Sequence, residues 1–389
     1  MAKICVVGPS KKFFSGVSAF TIRLSNALSA GNEVCVLLLR NLLPGFLYPG
    51  KNNVGRTDYL LDFKPEIKRF EGLDWNSPFS WFRGIRFLRR ENPRVMILQW
   101  WTSSVAHLEV FLSLANRLGG HARLILEMHE IVDPLEASLP PVRLYSRCMT
   151  RLLIRNMRAF IVHSAGVKEQ LSLLYRIPAE KIFVIPHGVY DSYVQSYPQS
   201  VAREKLGLGK GFIILYFGMI RKYKGIPNLV EAFNRLPPEI AINSQLVIAG
   251  EDWGDEKDLA AKVESSNYRE RILFRPGFVP DGEVPLYFTA ADVLALPYLR
   301  TAGSGVAALA LAFGKPVLIS EMEGIREALK DYRGAFLVPG GSVEGFAREL
   351  EALYHRWQKG EKLAYKVPPS LEWAYLKSEY QKVIDIFSQ

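Results

Sequence analysis

Short apolar runs recur along this chain, spaced so that one helix fits between each pair. In the first half they fall at Lys3–Gly8, Glu33–Leu39, Arg94–Gln99, Arg123–Met128, Phe160–His163 and Ile182–Ile185. Runs of this length that are apolar throughout, without alternation, predict parallel strands buried on both faces. Between them the spacing turns helical: Val17, Phe20, Leu24 and Leu28 share one face within 13–30. A second helix runs to Glu91, with Ser77 as its cap and Pro78 at the first position. The second half continues with strands at 212–217, 245–249, 271–275, 292–297, 316–319 and 335–338. Helical patterns lie at about 226–236, 256–266, 283–291, 304–313 and 322–330, then at 343–357 and near 372–387. Such alternation predicts two tandem parallel sheets with helices on both faces, and no solenoid repeat.

Candidate chemistry gathers at the C-terminal ends of these strands, where open α/β sheets bind ligands. After Phe217 the chain breaks at Gly218, places Arg221, Lys222 and Lys224 together, turns at Gly225 and enters a helix at Pro227. After Pro297, the residues Gly303, Ser304 and Gly305 open a helix of small side chains. Cations, glycines and helix starts at strand ends suit a diphosphate. The plain alternative is two surface turns with solvated lysines. Gly250 and Gly277 end two further strands, and Gly16 begins the first helix. In the first half, Trp100 and Trp101 stand at one strand end, where they either stack on a sugar or pack in the core. His129 and Glu130 stand at the next strand end.

Charge adds a direction. The chain carries +10 overall, yet residues 1–190 hold 25 Lys+Arg against 14 Asp+Glu, and residues 191–389 hold 24 against 25. The whole excess lies in the first half and suggests an anionic partner there. A helix predicted over Arg143–Arg158 would align Arg143, Arg147, Arg151, Arg155 and Arg158, and the Asn41–Gly50 loop is rich in Leu and Phe. Both features fit an anionic membrane face, or else a solvated face and a loop packed on the core. No recognised nucleic-acid module appears, so no nucleic-acid partner is expected. Cys5, Cys35 and Cys148 lack metal-ligand spacing and read as buried thiols in a reducing compartment. The start MAKICVVG enters a strand with no leader pattern, and no apolar run reaches eighteen residues. A cytoplasmic protein is expected, peripheral on the inner membrane face if the basic half is used.

The segments GMIRKYKG, LVIAGE, GFVPDGEVPLYFTAADVLALP, GVAALALAFGKPVLIS, EGIREALKD and GAFLVPGGS, in this order and spacing, resemble the donor-binding half of the GT-B fold retaining glycosyltransferases of family four. The first half resembles them less closely, through Gly16, MHE at 128–130, HSAGVKEQL from His163 and VIPHGV around His187. The resemblance implies an α/β, GT-B fold: two Rossmann-like doubly wound domains facing across a cleft. It divides the chain as 1–188, 189–370 and a C-terminal helix at 371–389 that returns to the first domain. It implies a nucleotide-diphosphate sugar as donor substrate, no separate cofactor, no metal, and a glycan or lipid-linked acceptor. Arg221 and Lys224 would neutralise the diphosphate, and Gly218, Gly250, Thr301, Gly303, Ser304 and Gly305 would line it. Gly16 would approach from the other side, Phe278 and Val279 would lie beside the base, and His129 would face the transferred sugar. Trp100, Trp101 and Glu130 are acceptor-side candidates.

Two departures stand out. The usual arginine directly after the glycine is Met219 here, with Arg221 two residues on. The family's paired glutamates fall at Thr301 and Leu309, so the chain resembles a subgroup that carries Ser-Gly-Val here and lacks both acids. That leaves the ribose contacts and the identity of the base open. A sugar-nucleotide epimerase of similar architecture, which would use His129, Glu130 and His163, and a non-catalytic nucleotide-binding subunit are the competing readings.

Overall fold

The computed structural model describes residues 2–13, 16–41, 60–130, 140–195, 197–301 and 303–388. These form two compact units. One holds the chain up to Gly188 and takes back the residues from Glu372 on; the other holds Val189–Leu371, with Leu60.

The first unit is built on seven parallel strands: β1 (Lys3–Pro9), β2 (Glu33–Asn41), β3 (Lys68–Asp74), β4 (Val95–Trp100), β5 (Arg123–Met128), β6 (Ala159–Val162) and β7 (Ile182–Val184), in the spatial order β3-β2-β1-β4-β5-β6-β7. The order reverses between β1 and β4, which pair in register from Ile4–Val95 to Val7–Leu98. The strands β1, β2, β4, β5 and β6 are buried almost throughout, as their unbroken apolar runs require. β3 (KRFEGLD) has mixed polarity, lies at the sheet edge and carries no apolar run by which the sequence could declare it. The helix Ala106–Gly119, which buries Leu108, Val110 and Leu112, is likewise not among the helices expected above. The helix Trp373–Ser388 buries Leu376, Tyr380, Val383 and Ile384 and packs on the helix Gly16–Ser29 and on β4.

The second unit has six parallel strands: β8 (Phe212–Phe217), β9 (Ser244–Gly250), β10 (Ile272–Pro276), β11 (Val293–Leu296), β12 (Val317–Glu321) and β13 (Ala335–Pro339), in the order β10-β9-β8-β11-β12-β13. Here the order reverses between β8 and β11. Every strand and helix expected between 212 and 358 is present, with ends displaced by at most two residues.

Three expectations are corrected. The arginine-bearing helix runs Pro140–Ile154, so Arg155 and Arg158 lie beyond its end and only Arg143, Arg147 and Arg151 are helical. The turn at Arg155–Met157 returns the chain to β6, and Asn156 bonds back to the carbonyl of Leu153. Cys148 is exposed on this helix, whereas Cys5 and Cys35 are buried. Trp100 is 3 % exposed and belongs to the first unit's core with Leu98, Val105 and Met128, so its ring is unavailable for stacking on a sugar. The loop expected at 41–50 lies, past Asn41, outside the described residues.

Candidate active site

In the second unit the reversal of strand order brings together two stretches that are more than seventy residues apart in sequence. β8 and β11 are neighbours, with Ile214 opposite Val293 and Leu215 opposite Leu294. The loops that leave their C-terminal ends are therefore adjacent: Leu299 N–H donates to the Tyr223 carbonyl at 2.9 Å. Gly225 sits at φ 65°, and a Cβ built on it would fall 2.0 Å from the Pro297 carbonyl oxygen. Only glycine allows this approach. Gly250, at φ 151°, has the same role one strand further out, since its Cβ would fall 1.8 Å from the Gly218 carbonyl oxygen. The backbones of Gly218, Gly250 and Gly277 thus step across the ends of β8, β9 and β10, with Gly218 N–H on Ala249 O at 3.0 Å and Gly277 N–H on Gly250 O at 2.8 Å.

The cations are held above this floor. Arg221 is half-buried, and its guanidinium donates to the Trp253 carbonyl; among the described residues no carboxylate pairs with it. Lys224 Nζ lies 4.0 Å from the centre of the Tyr298 ring and 5.1 Å from that of Tyr223. Cation–π contacts of this kind orient an ammonium while leaving its hydrogens able to reach an anion. Lys222 differs: it is 76 % exposed and faces Asp255 at 4.0 Å and Asp258 at 3.4 Å. A cavity of about 580 Å³ is lined by Arg221, Lys222, Tyr223, Trp253, Asp255 and Arg300, with Gly254 and Leu299.

Across β11, Ser304 caps the helix Gly305–Ala312, accepting from Ala307 N–H at 3.1 Å, and its hydroxyl also lies 3.1 Å from Tyr298 Oη. The first intrahelical bond at this end is Ala308 N–H to Ser304 O, and first-turn amides have no carbonyl partner within a helix. Gly303 and Gly305 are exposed, and Thr301 is half-buried. The Tyr190 hydroxyl lies under Gly305, 3.4 Å from where a Cβ would stand. Leu309, at the place of the second family glutamate, is 7 % exposed and packs inward. Phe278 and Val279 follow β10 and are half-buried, one strand beyond Gly250.

In the first unit Gly16 opens its helix and is exposed, while Trp101 is half-buried against the core that holds Trp100. His129 follows β5, and its backbone N–H bonds to Trp100 O at 2.8 Å, which continues the β4–β5 ladder by one residue. Its ring is half-buried among His163 and His187, with centroids 4.8 and 6.2 Å away, and Phe20 edge-on at 4.9 Å. Burial, then the neighbouring His163 and His187, push the His129 imidazole well below its usual range. Burial likewise pushes His163 down to about 3 and His187 down to about 4. All three rings are therefore neutral at physiological pH. Glu130 is exposed. Among the described residues no group of three or more His, Cys, Asp or Glu side chains could hold a metal ion.

The sequence did not single out Tyr190, Trp253 or Tyr298 in the second unit, or Gln99, Glu127, His187 and Tyr380 as site neighbours in the first. Tyr298 had a readable signal, since it follows a strand end directly. The others reach their places only through strand order or through the returning C-terminal helix.

Comparison with known proteins bears on the family and the fold. Residues 14–193 match the family model described as Glycosyltransferase Family 4, and residues 199–368 match the one described as Glycosyl transferases group 1. A D-inositol 3-phosphate glycosyltransferase of Xylanimonas cellulosilytica is 31 % identical over 205 residues, covering 50 % of this chain and 48 % of that protein. A lipopolysaccharide 1,2-N-acetylglucosaminetransferase of Salmonella typhimurium is 28 % identical over 279 residues, covering 67 % of this chain and 66 % of the relative. The chain thus spans about half the length of the first of these curated relatives and about two thirds of the second. Among solved structures, Anabaena Alr3699/HepE in complex with UDP and glucose superposes with a TM-score of 0.73 over 99 % of this chain and 100 % of that one, at 17 % identity. The lipopolysaccharide-biosynthesis glycosyltransferase WaaG gives 0.63 over 100 % and 97 %, at 15 % identity. Two Rossmann-like units in tandem, each matched in chain order by a glycosyltransferase model, place this chain in the GT-B glycosyltransferases of the group 1 and family 4 kind.

Proposed function

We propose that the protein transfers a sugar from a nucleoside-diphosphate donor to an acceptor hydroxyl with retention of configuration and without a bound metal. The observation that carries this reading is the meeting of the 218–225 and 297–305 loops at the β8/β11 reversal, with Arg221 and Lys224 on one side and the Ser304-capped helix on the other. As the glycosidic bond breaks, negative charge builds on the leaving diphosphate. Arg221, Lys224 and the first amides of the helix Gly305–Ala312 stabilise it more than they stabilise the intact donor. The acceptor hydroxyl attacks from the face the diphosphate leaves, so no carboxylate nucleophile is required. That fits Thr301 and Leu309 in place of two acids. Gly218 and Gly250 let the diphosphate approach the backbone, Phe278 and Val279 flank the base, and Gly16 and His129 act from the first unit, with His129 toward the transferred sugar.

The Anabaena structures contain UDP and UDP-glucose, which makes UDP-sugars the first donors to test. A panel of nucleotide sugars in a thermal-shift assay decides the matter, because a ligand that binds only the folded state raises its melting temperature by mass action. A shift with one donor that disappears in Lys224→Ala, and turnover that persists in excess EDTA, are the expected results. No shift with any nucleotide sugar would remove the donor site.

For the acceptor we propose a glycan or lipid-linked molecule presented at an anionic membrane face, with the protein bound peripherally on the cytoplasmic side. Support comes from the charge excess of residues 1–190 and from Arg143, Arg147 and Arg151 on a helix that also exposes Leu144 by 68 %. The helix Pro78–Glu91 adds Arg83, Arg86, Arg89 and Arg90, with Phe79 85 % and Phe82 61 % exposed. Such surfaces bind anionic leaflets by about 1 kcal/mol per basic residue, helped by inserted apolar side chains. Among the described residues no helix is long and apolar enough to cross a membrane. Co-sedimentation with vesicles should need anionic lipid, weaken with salt, and fall when Phe79 and Phe82 become Ser. Equal recovery in the supernatant with neutral and anionic vesicles would leave a water-borne acceptor.

A further inference from the structure

Behind His129 lies a continuous hydrogen-bonded chain of buried ionisable groups. Glu127 on β5 and Gln99 on β4 are both fully buried. Tyr380, from the helix Trp373–Ser388, donates to one Glu127 oxygen, and Gln99 Nε2 donates to the other at 2.5 Å. The Gln99 amide oxygen faces His129 Nε2, the orientation that suits an ionised Glu127. His129 Nδ1 lies 3.2 Å from His163 Nε2, and His163 Nδ1 lies 2.9 Å from the Ile185 carbonyl oxygen. His163 Nε2 is also 3.9 Å from Glu127, too far for a hydrogen bond, and the third imidazole, His187, stands beside His163 at 5.4 Å between centroids.

Proton positions follow from which atoms can only accept. The Ile185 carbonyl accepts, so His163 Nδ1 carries the proton. Neutral His163 then has a bare Nε2, and His129 must donate to it from Nδ1. A neutral His129 therefore has a bare Nε2 that needs a donor, and the Gln99 amide is the group in reach. An amide presents its NH₂ to one side and its oxygen to the other, and a half-turn exchanges them. With NH₂ toward His129, the amide oxygen faces Glu127, which must be protonated to donate to it. With Glu127 ionised, the carboxylate takes the NH₂, the amide oxygen faces His129, and Nε2 must hold a proton.

We propose that Glu127 is a positioning residue that dictates, through the orientation of the Gln99 amide, which ring nitrogen of His129 carries a proton. When Glu127 is protonated, His129 is the neutral Nδ1–H form, anchored on His163. When Glu127 releases its proton to solvent, the His129 proton moves from Nδ1 to Nε2; the pair loses one proton in all, and the hydrogen bond from His129 Nδ1 to His163 Nε2 is given up. Burial opposes the charged form of both groups. It raises the Glu127 carboxyl to about 7, with the Tyr380 and Gln99 hydrogen bonds pulling the other way, and it lowers His129. The neutral arrangement is thus the resting one below neutrality, and Glu127 is poised to leave it within the physiological range. The consequence for catalysis rests on the proposed place of His129 at the sugar end of the donor site. The coupling itself does not.

The test is ring-nitrogen NMR of the full-length protein labelled with ¹⁵N-histidine, from pH 5 to 9 with no donor present. In the wild type, His129 should show Nδ1–H at pH 5 and gain an Nε2 proton with a midpoint near pH 7. Glu127→Gln, whose side-chain NH₂ donates as the protonated carboxyl does, should hold the Nδ1–H form across the whole range. Tyr380→Phe removes a donor that favours the carboxylate and should move the midpoint to higher pH; this variant decides the matter if Glu127→Gln does not fold. An Nε2–H form already present at pH 5, or a His129 titration unchanged in Tyr380→Phe, overturns the proposal. These readouts need no sugar transfer, so failure of the donor assay leaves them standing, and the reverse holds too.

Discussion

The two units end their parallel sheets in opposite ways. At the ends of the first unit's strands lie three half-buried, neutral imidazoles, with His129 bonded to the buried Gln99 amide and through it to the buried Glu127 carboxyl, which burial raises to about 7. Beyond those of the second unit lie Arg221 and Lys224, both half-buried, with Arg221 donating to a backbone carbonyl and Lys224 set over aromatic faces. On the proposed function the difference has a physical reason. A cation meant for a diphosphate is best left without an anionic partner, and Arg221 is held by a carbonyl instead. A group that is buried cannot keep a charge without a partner, so it shares protons with its neighbours. Ion pairs abound elsewhere, as in Lys3 with Glu33 and Glu91, or Arg356 with Glu361, which sets off Arg221, with no carboxylate partner among the described residues.

The largest effect should come from moving the first unit's habit into the second. Leu309→Glu buries an acid with no partner on an apolar helix and should cost about 3 kcal/mol or more at pH 8. An acid raised by burial favours the fold only while protonated, so the loss should shrink toward pH 5. Thermal melts at the two pH values check this, and an unchanged melting temperature with tighter nucleotide binding would show that a ribose pocket survives there.

Next come Lys224→Ala and Arg221→Ala. Each removes a charge-assisted contact to the proposed diphosphate and should weaken donor binding by about 1.5–3 kcal/mol, with turnover falling alongside. Calorimetric titration of the donor identified by thermal shift reads it, and an affinity within twofold of wild type breaks the contrast between the two ends.

Glu109, in the helix Ala106–Gly119, tests the buried side. Its carboxyl is fully buried, finds no hydrogen-bond partner among the described residues, and is raised well above the usual carboxylate range by burial. With the folded value raised, stability is full below the unfolded value and is lost as pH climbs through the folded one. Glu109→Leu should therefore stabilise by about 2 kcal/mol at pH 8 and by little at pH 4, read by denaturant unfolding at each pH. A gain that does not depend on pH would mean that packing, not ionisation, sets the penalty.

The smallest effect is Lys222→Ala. Its ammonium is exposed and already faces Asp255 and Asp258, so donor affinity should stay within twofold. A loss equal to that of Lys224→Ala would replace a built site with a general positive field.

What the sequence determined by itself was local. Unbroken apolar runs with helical spacing between them specify parallel strands and covering helices, because burial on both faces leaves no other pattern. The glycines and cations after Phe217 and the small residues after Gly303 were legible for the same reason, since each is a local departure from that pattern. Edge strand β3 escaped because an edge demands no apolar run, and the basic helix was read too long because arginine spacing continues past the point where the chain turns at Asn156. Trp100 and Trp101 look alike in sequence, and only packing sends Trp100 into the core. Strand order belongs to the tertiary structure alone. Nothing local says that β8 lies beside β11, or that Tyr380 returns to Glu127 across more than two hundred residues, yet these neighbours bring the cations to the capped helix and close the proton network. The physical reason is that secondary structure follows from each residue's own burial and spacing, whereas a site needs groups that only the packing of whole elements can bring into contact.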